Sequence, residues 1–344
     1  MSKTKIAWCD QVWNPVVGCT PVSEGCRNCY AKKLHDMRHR AYLEGKHLPV
    51  QYAKPFDQVQ TLENRLNDPL HWREPRRVFV NSMSDLFHDD VPDGFIFGAF
   101  MRMAKASQHT FMILTKRPKR MQKWIVNNWM TDIFGDYHPE LALPNVQLGV
   151  SITSDKDLWM VGELLKTPAA VRFVSYEPAL GPIDFKFIRS EPCSPGCFHH
   201  VSHPCERCGY QAGRLPIDWV ICGGETGPGA RPMHPDWARS LRDQCTAAKV
   251  PFFFKSWGDW YPAAAQYGDP GFIDKMTFGR HCICLGNRGT VFQEEWGDRE
   301  EYWCGHQPDP DQNPWFMEHV GARRAGHLLD GVEWRQFPAK ESCK

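Results

Sequence analysis

The chain has 344 residues, of which 42% are hydrophobic and 24% are charged, and its 41 Lys and Arg residues nearly balance its 40 Asp and Glu residues. These figures exclude a disordered tail, a collagen and a uniformly basic nucleic-acid coat. The length allows one large domain or two ordinary ones. No run of about 18 apolar residues occurs, and Met1 to Asp10 has no stretch long enough for a signal peptide. We therefore expect a cytoplasmic protein with no membrane partner.

The first predicted element is a loop that holds three cysteines, Cys19, Cys26 and Cys29. In a long cytosolic chain, cysteines indicate metal sites or packed thiols rather than disulfides. A closed structural zinc site uses four protein ligands, so three thiolates favour a [4Fe–4S] cluster with one iron free for another ligand. The alternatives are a structural zinc site completed by His35 or Cys9, and three reduced core thiols.

The next elements are a helix, predicted over Ala31 to Leu43, and a series of short apolar runs. Most runs are about 26 to 35 residues apart, which is the length of one βα unit. The runs are Val78–Val80, Phe111–Leu114, Val146–Val150, Val171–Val174, Trp219–Cys222 and Phe252–Phe254. They predict an α/β fold with a (β/α) barrel or partial barrel over residues 1–260. Residues 261–344 lack this alternation, and we expect an irregular C-terminal extension of unknown role.

Charged residues follow several of these runs. Because the carboxyl ends of the strands of a barrel meet at one mouth, we expect such residues to share a site. Charges at a mouth are costly unless they are paired with a partner. Asp85, Lys116, Glu177 and Lys255 are therefore candidate catalytic residues, and Arg117 is a further candidate for holding a substrate or a cofactor carboxylate. The alternative is ordinary polar loop residues that pair with one another.

A basic stretch from Arg102 to Lys123 contains seven Lys and Arg residues and no acidic residue. Local positive charge of this kind binds phosphates through counterion release. The stretch therefore indicates either a DNA-binding surface or a solvated helix face.

A cysteine-rich insertion is predicted at residues 189–214. Its four cysteines, Cys193, Cys197, Cys205 and Cys208, form two pairs separated by seven residues, with Gly and Pro residues that permit sharp turns. Four thiolates at these spacings can enclose one tetrahedral zinc ion. An auxiliary iron–sulfur cluster and a site without metal are the alternatives.

Several motifs together resemble those of a known family. They are WNPVVGC at 13–19, GCRNCYA at 25–31, NSMSDLFH at 81–88, LTKRP at 114–118, LGVS at 148–151, SYEP at 175–178, GGETGPGAR at 223–231 and PFFFK at 251–255. As a set they are similar to the phage-associated, three-cysteine radical S-adenosylmethionine (SAM)-like family, whose fold resembles that of spore photoproduct lyase. The resemblance covers about residues 5 to 260.

The resemblance implies a radical SAM enzyme whose Cys19, Cys26 and Cys29 hold the cluster, although six residues separate the first two cysteines here and the superfamily has three. It also implies that Gly223, Gly224 and Glu225, with Ser151, contact SAM, since glycine permits close approach and a carboxylate suits an ammonium. A tight glycine turn with a solvated glutamate is the other interpretation of residues 223–225.

The resemblance further implies a substrate and partners. The expected reaction is the isomerisation of a glycyl substituent, from a nitrogen to a carbon linkage, on a modified thymidine in phage DNA. The expected partners are DNA or a modified nucleotide and an electron donor of the flavodoxin or ferredoxin type, in the host cytoplasm. The alternatives are a radical SAM lyase that repairs DNA lesions, and a non-catalytic, metal-stabilised nucleic-acid-binding protein.

Overall fold

The computed structural model describes residues 4, 6–131, 136, 138, 141–185, 217–265, 282–285, 291–292 and 315–338. The strands of this part of the chain are, in order, β1 Gln11–Trp13, β2 Val16–Val17, β3 Gln60–Thr61, β4 Arg77–Val80, β5 Thr110–Thr115, β6 Val146–Ile152, β7 Val171–Tyr176, β8 Trp219–Gly223, β9 Phe252–Ser256, β10 Trp260–Ala265, β11 Cys282–Leu285, β12 Val291–Phe292, β13 Trp315–His319, β14 Leu328–Leu329 and β15 Val332–Glu333. Its helices are α1 Tyr30–Leu43, α2 Asp93–Lys105, α3 Pro118–Trp124, α4 Leu158–Leu165, α5 Pro235–Ala247 and α6 Ala322–Ala325. It also contains short 3₁₀ turns, at Glu24–Cys26, Val50–Ala53, Glu63–Arg65, Asp68–His71 and Asp155–Asp157, and a π-helical turn at Ile125–Trp129.

The main sheet is a curled half-barrel of seven parallel strands in the order β1-β4-β5-β6-β7-β8-β9. Every neighbouring pair is parallel, and the spatial order follows the chain order. Each strand is therefore followed by a crossover in the same direction, as in a (β/α) barrel. The predicted partial barrel is confirmed, and all six apolar runs lie in strands. The predicted helix is also present, one residue longer than expected.

The two faces of the half-barrel have different environments because side chains alternate along each strand. The outer face packs against α2 to α5 and forms the larger core. Its buried strand residues include Val80, Ile113, Val150, Val174 and Cys222. Cys222, with Cys245 of α5, is thus a packed apolar thiol.

The inner face has its own aromatic core at the end of the sheet where the strands begin. Its buried members are Trp8, Cys9, Phe79, Met112, Phe173, Trp219, Ile221 and Phe253. Segments from both ends of the chain complete this core, since Ile6 and Phe337 pack against it. The interior of the half-barrel is therefore closed at this end.

The region after residue 260 is more regular than predicted. Strands β10, β13, β11 and β12 form a four-stranded sheet, and β14 and β15 form a hairpin. The segment after β15 then returns to β9, where Phe254 N donates to Trp334 O at 2.8 Å and Gln336 N donates to Phe252 O at 3.2 Å. Part of the extension therefore belongs to the half-barrel.

One predicted metal site lies outside the described residues. It is the cysteine-rich insertion, with Cys193, Cys197, Cys205 and Cys208. In the described part of the chain, no helix combines the length and apolar character that a membrane span needs.

Candidate active site at the mouth of the half-barrel

The three cysteines lie on one loop, residues 18–29, which we call the three-cysteine loop. It leaves β2 through Gly18, whose φ of +95° is a conformation that favours glycine. A Cβ at this position would lie 2.8 Å from Phe56 O, so the close approach of the two backbones also requires glycine. The loop ends at α1, and its three thiols are free and partly exposed.

The Cys19 end of the loop is held by Arg117, which follows β5. Nη1 of Arg117 lies 3.6 Å from Cys19 Sγ, and its Nη2 donates to Thr20 O at 3.0 Å and to Thr20 Oγ1 at 2.9 Å. Burial and the nearby Asp85 carboxylate raise the pKa of Cys19 to about 11, against the opposing charge of Arg117. Arg117 thus holds a half-buried thiol in place and offers positive charge to its thiolate.

Asp85 in turn orients Arg117. Its carboxylate accepts from Thr115 Oγ1 at 2.8 Å, Phe87 N at 3.0 Å and Lys116 N at 3.1 Å, and lies 3.5 Å from Arg117 Nη1. Both charged side chains are nearly fully buried. Because Asp85 accepts several hydrogen bonds from the protein, its role in this structure is to fix the turn after β5 and the guanidinium beside Cys19.

The middle of the three-cysteine loop lies directly on the end of β6. A Cβ on Gly25 would lie 2.6 Å from Thr153 Cγ2 and 3.5 Å from Lys116 Cε. Burial acts to raise the pKa of Cys26, but the Lys116 ammonium and hydrogen bonds at Val22 and Ser23 outweigh it, and the pKa falls below its usual value. A thiol favoured as thiolate suits a metal ligand.

The Cys26–Cys29 end of the loop is held from the opposite side by Arg231, in the loop after β8. Arg231 Nη1 donates to Glu24 Oε1 at 2.6 Å, and Nη2 donates to Glu225 Oε1 at 2.7 Å. Asn28 Nδ2 donates to Glu225 Oε2 at 3.0 Å and to Gly229 O at 2.6 Å. The loop is therefore bound to both sides of the mouth.

Beneath the loop, the inner face becomes polar. Five polar residues lie here, which we call the polar row: Lys116, Ser151, Ser175, Glu177 and Lys255. Each lies two or four residues after an inner-face residue of its own strand, and therefore on the same face.

The polar row is joined by hydrogen bonds. Lys116 Nζ donates to Ser151 Oγ at 2.7 Å, and Ser151 Oγ donates to the backbone oxygen of Glu177 at 3.1 Å. The carboxylate of Glu177 accepts from Ser175 Oγ at 3.2 Å and pairs with Lys255 Nζ at 2.8 Å. Among the described residues, the ammonium of Lys116 has no carboxylate partner within salt-bridge distance, which leaves a cation available to an anionic ligand.

Most of the predicted site residues thus come together at the mouth: Cys19, Cys26, Cys29, Asp85, Lys116, Arg117, Ser151, Glu177 and Lys255. Gly223 faces the polar row, since its Cβ would lie 2.7 Å from Glu177 Oε1, whereas a Cβ on Gly224 would overlap Trp257 O. Glu225 is 6% exposed and paired, and is not solvated. Packing and pairing account for residues 223–225, and a contact between them and SAM stays a prediction.

Sequence reasoning missed the residues that hold the loop: Glu24, Asn28, Thr115 and Arg231. Asn28 lies within the motif GCRNCYA and Arg231 within GGETGPGAR. Membership of these motifs is the one feature of the sequence that could have indicated a role for the two residues. What the sequence does not reveal is that these two motifs touch.

The predicted basic stretch does not form one surface. Lys105 ends α2 at the side where the strands begin, whereas Lys119 lies at the mouth. Arg117 is buried, and Arg120 donates to Val91 O and to Asp93 Oδ1. Phosphate binding therefore stays a prediction for the separate lysines of the stretch, including Lys116 at the mouth.

The three thiols fit a cluster in number. The surroundings of Cys26, beside the Lys116 ammonium, favour its thiolate, whereas at Cys19 burial and Asp85 outweigh Arg117 and keep the pKa raised. Within the described ranges, however, no three His, Cys, Asp or Glu side chains are gathered closely enough to hold a metal ion. A cluster would therefore require the sulfurs of the three-cysteine loop to move together. The present arrangement places the donors on one loop without assembling them.

Comparison with known proteins gives a family without a function. Residues 3–338 match the model of a family described as proteins of unknown function, DUF5131. The chain belongs to this family. No curated protein and no solved structure matches it. Inference about the activity of this DUF5131 member therefore depends on its own residues and on the sequence resemblance described above.

Proposed function

We propose that this protein is a radical SAM enzyme that uses the three-cysteine loop to hold a [4Fe–4S] cluster. One observation supports the proposal above the others: the loop is fixed over the polar row, at the carboxyl edge of a parallel half-barrel. The loop thus lies over a site with charged groups of both signs.

Cys19, Cys26 and Cys29 would be the ligands of the cluster. When bound, such a cluster would supply an open coordination position for SAM and the electron for its reductive cleavage. Arg117, in contact with Cys19, and Lys116, whose charge lowers the pKa of Cys26, would offset the negative charge of the thiolates. These two cations favour binding of a negatively charged group at the loop.

The polar row would bind and orient the ligands below the loop. Lys116 offers a cation to a carboxylate or phosphate, and Glu177 offers an anion that Lys255 and Ser175 hold in position. The aromatic core closes the interior beneath the row, with Phe173 and Trp219 fully buried. Exclusion of water from below suits a reaction in which a radical must reach only one substrate hydrogen.

For the substrate, we propose a modified thymidine in DNA and an isomerisation of its amino-acid substituent. This part of the proposal depends on the motif resemblance and on no particular contact. The polar row is compatible with it, because an amino-acid substituent carries both an anionic and a cationic group.

The decisive experiment is anaerobic reconstitution with iron and sulfide, followed by assay for 5′-deoxyadenosine with dithionite or a flavodoxin system. We expect iron and sulfide in the wild type, and their loss in Cys29→Ala. Cys245→Ala is the matched control, since this thiol is buried on α5 away from the mouth. Absence of iron and sulfide, or of 5′-deoxyadenosine, from the reconstituted wild type would overturn the proposal.

The substrate is tested in parallel by mass spectrometry of the nucleosides. The reaction is run with DNA containing modified thymidine, the free modified nucleotide, unmodified DNA and irradiated DNA. We expect turnover only with modified thymidine. Turnover of irradiated DNA alone would indicate a repair lyase and contradict the proposed substrate.

A further inference from the structure

The segment between Cys19 and Cys26 is fixed in place by contacts with two other loops. Six residues separate Cys19 from Cys26, and such a segment has more conformations than a shorter one. Its two ends are bound to different strands: Thr20 is held by Arg117 after β5, and Glu24 is held by Arg231 after β8. The segment is therefore fixed at two points.

Arg231 is the centre of the second attachment. It binds Glu225 through its backbone N at 2.8 Å, through Nε at 2.9 Å and through Nη2 at 2.7 Å, and it binds Glu24 through Nη1 at 2.6 Å. One guanidinium thus bridges two carboxylates, one on each loop. Hydrogen bonds to charged groups in such a forked arrangement are stronger and more directional than neutral ones.

Glu225 binds the other side of Cys26 as well, because it accepts from Asn28. The pair formed by Arg231 and Glu225, which we call the arginine latch, therefore contacts residues on both sides of Cys26, and Asn28 directly precedes Cys29. Movement of these two cysteines relative to β8 would break contacts on both sides.

The latch is not needed to fix its own loop. Gly224 packs so closely on the turn after β9 that a side chain there would overlap Trp257 O. In addition, Asp259 N donates to Glu225 O at 2.9 Å, and Gly227 N donates to Asp259 Oδ2 at 2.8 Å. Because the loop after β8 is already attached to β9, the contact of Arg231 with Glu24 acts mainly on the three-cysteine loop.

We propose that Arg231, oriented by Glu225, is a positioning residue that anchors the Cys26–Cys29 end of the three-cysteine loop at the mouth, and so limits how far these two cysteines must move when a cluster binds. The inference rests on the proposed function. The segment between Cys19 and Cys26 is long, and without attachments it would have many conformations. Arg117 fixes one end of this segment and the arginine latch fixes the other.

The test begins with the protein without a cluster. In Arg231→Gln, we expect hydrogen exchange of residues 22–29 and alkylation of Cys26 and Cys29 by iodoacetamide to accelerate about tenfold, since charged hydrogen bonds are lost. Alkylation of Cys19, which Arg117 holds, should change less. Arg239→Gln is the matched control, because Arg239 also pairs with two carboxylates, at a side-chain exposure of 27% against 22% for Arg231.

The second readout uses the reconstituted protein. We expect Arg231→Gln to lose bound iron about tenfold faster to a chelator and to change the electron paramagnetic resonance spectrum of the reduced cluster. Arg231→Lys should restore part of the retention, because one ammonium can reach one of the two carboxylates. A role confined to overall stability would leave the spectrum unchanged.

A further variant keeps the test valid if Arg231→Gln fails to fold. Glu24→Gln removes the negative charge at the loop end of the attachment, and leaves the hydrogen bond from Arg231 Nη2 to the backbone oxygen of residue 24 and the pair with Glu225. Wild-type exchange, alkylation and iron release in Glu24→Gln would overturn the inference. If the wild type binds no cluster but Glu24→Gln still loosens residues 22–29, the proposed function fails and the attachment itself stands.

Discussion

The inner face of the half-barrel contains two regions that differ sharply although the same strands supply both. Near the start of the strands, Phe173 and Phe253 pack with other aromatic residues and are fully buried. Two or four residues further along, Glu177 and Lys255 pair in a partly exposed position. One region is filled by protein, and the other offers charged groups to the mouth. The comparison indicates that residues near the start of a strand stabilise the fold, whereas residues near its end are available to bind a ligand, as in (β/α) barrels.

The largest expected effect lies in the aromatic region. Trp219→Ala should lower the free energy of unfolding by about 3–5 kcal/mol, because it leaves a cavity between Phe173, Phe253 and Phe337. Urea denaturation measures the change. Trp159→Ala is the control, since that side chain is 48% exposed and its contact with Lys119 is worth about 0.5–1 kcal/mol. Equal losses in the two variants would contradict the assignment of the aromatic region to stability.

The polar row should show the opposite behaviour. Glu177→Gln removes the charge that pairs with Lys255, and we expect the rate of 5′-deoxyadenosine formation to fall about 100-fold. The free energy of unfolding should change by less than about 1 kcal/mol, because the ammonium is partly solvated. Ser175→Ala, which removes one hydrogen bond to the same carboxylate, should lower the rate about tenfold. If Glu177→Gln or Ser175→Ala lowered the free energy of unfolding but left the rate of 5′-deoxyadenosine formation unchanged, the polar row would serve stability instead.

A glycine tests how tightly the aromatic region is packed. A Cβ on Gly149 would overlap the ring of Phe173, whereas a Cβ on Gly162 of α4 would meet nothing within 4 Å. Gly149→Ala should therefore lower the free energy of unfolding by about 1–3 kcal/mol. Gly162→Ala should leave it unchanged or raise it by up to about 1 kcal/mol, since alanine favours helices. Neutral behaviour of Gly149→Ala in thermal or urea unfolding would show that the region has free space.

The sequence predicts the half-barrel well because its evidence is local. Each apolar run identifies a strand, and the polar residue that follows, such as Lys116 or Lys255, marks the mouth. The latch was not predictable in this way. Glu24 and Arg231 are 207 residues apart and meet only because β1 and β8 end at the same edge of a curled sheet. The close contact of Gly224 with Trp257 was likewise not predictable, since it joins the loops after β8 and β9.

The smallest expected effect concerns a charged residue at the mouth that serves structure. Burial acts to raise the pKa of Glu225, but hydrogen bonds from Arg231 and Asn28 outweigh it and hold the pKa below its usual value of 4.5. A carboxyl whose pKa is lower in the folded state stabilises the fold above its unfolded-state pKa and loses this contribution as the pH falls through the folded-state pKa. The difference in unfolding free energy between the wild type and Glu225→Gln should thus be largest above about pH 4.5 and shrink in acid. Urea denaturation of both proteins at pH 3 to 7 measures it. A difference that does not change with pH would mean that the negative charge of Glu225 does not stabilise the fold. Charged residues at the mouth would then contribute no stability through their charge, and only the apolar region would stabilise the half-barrel.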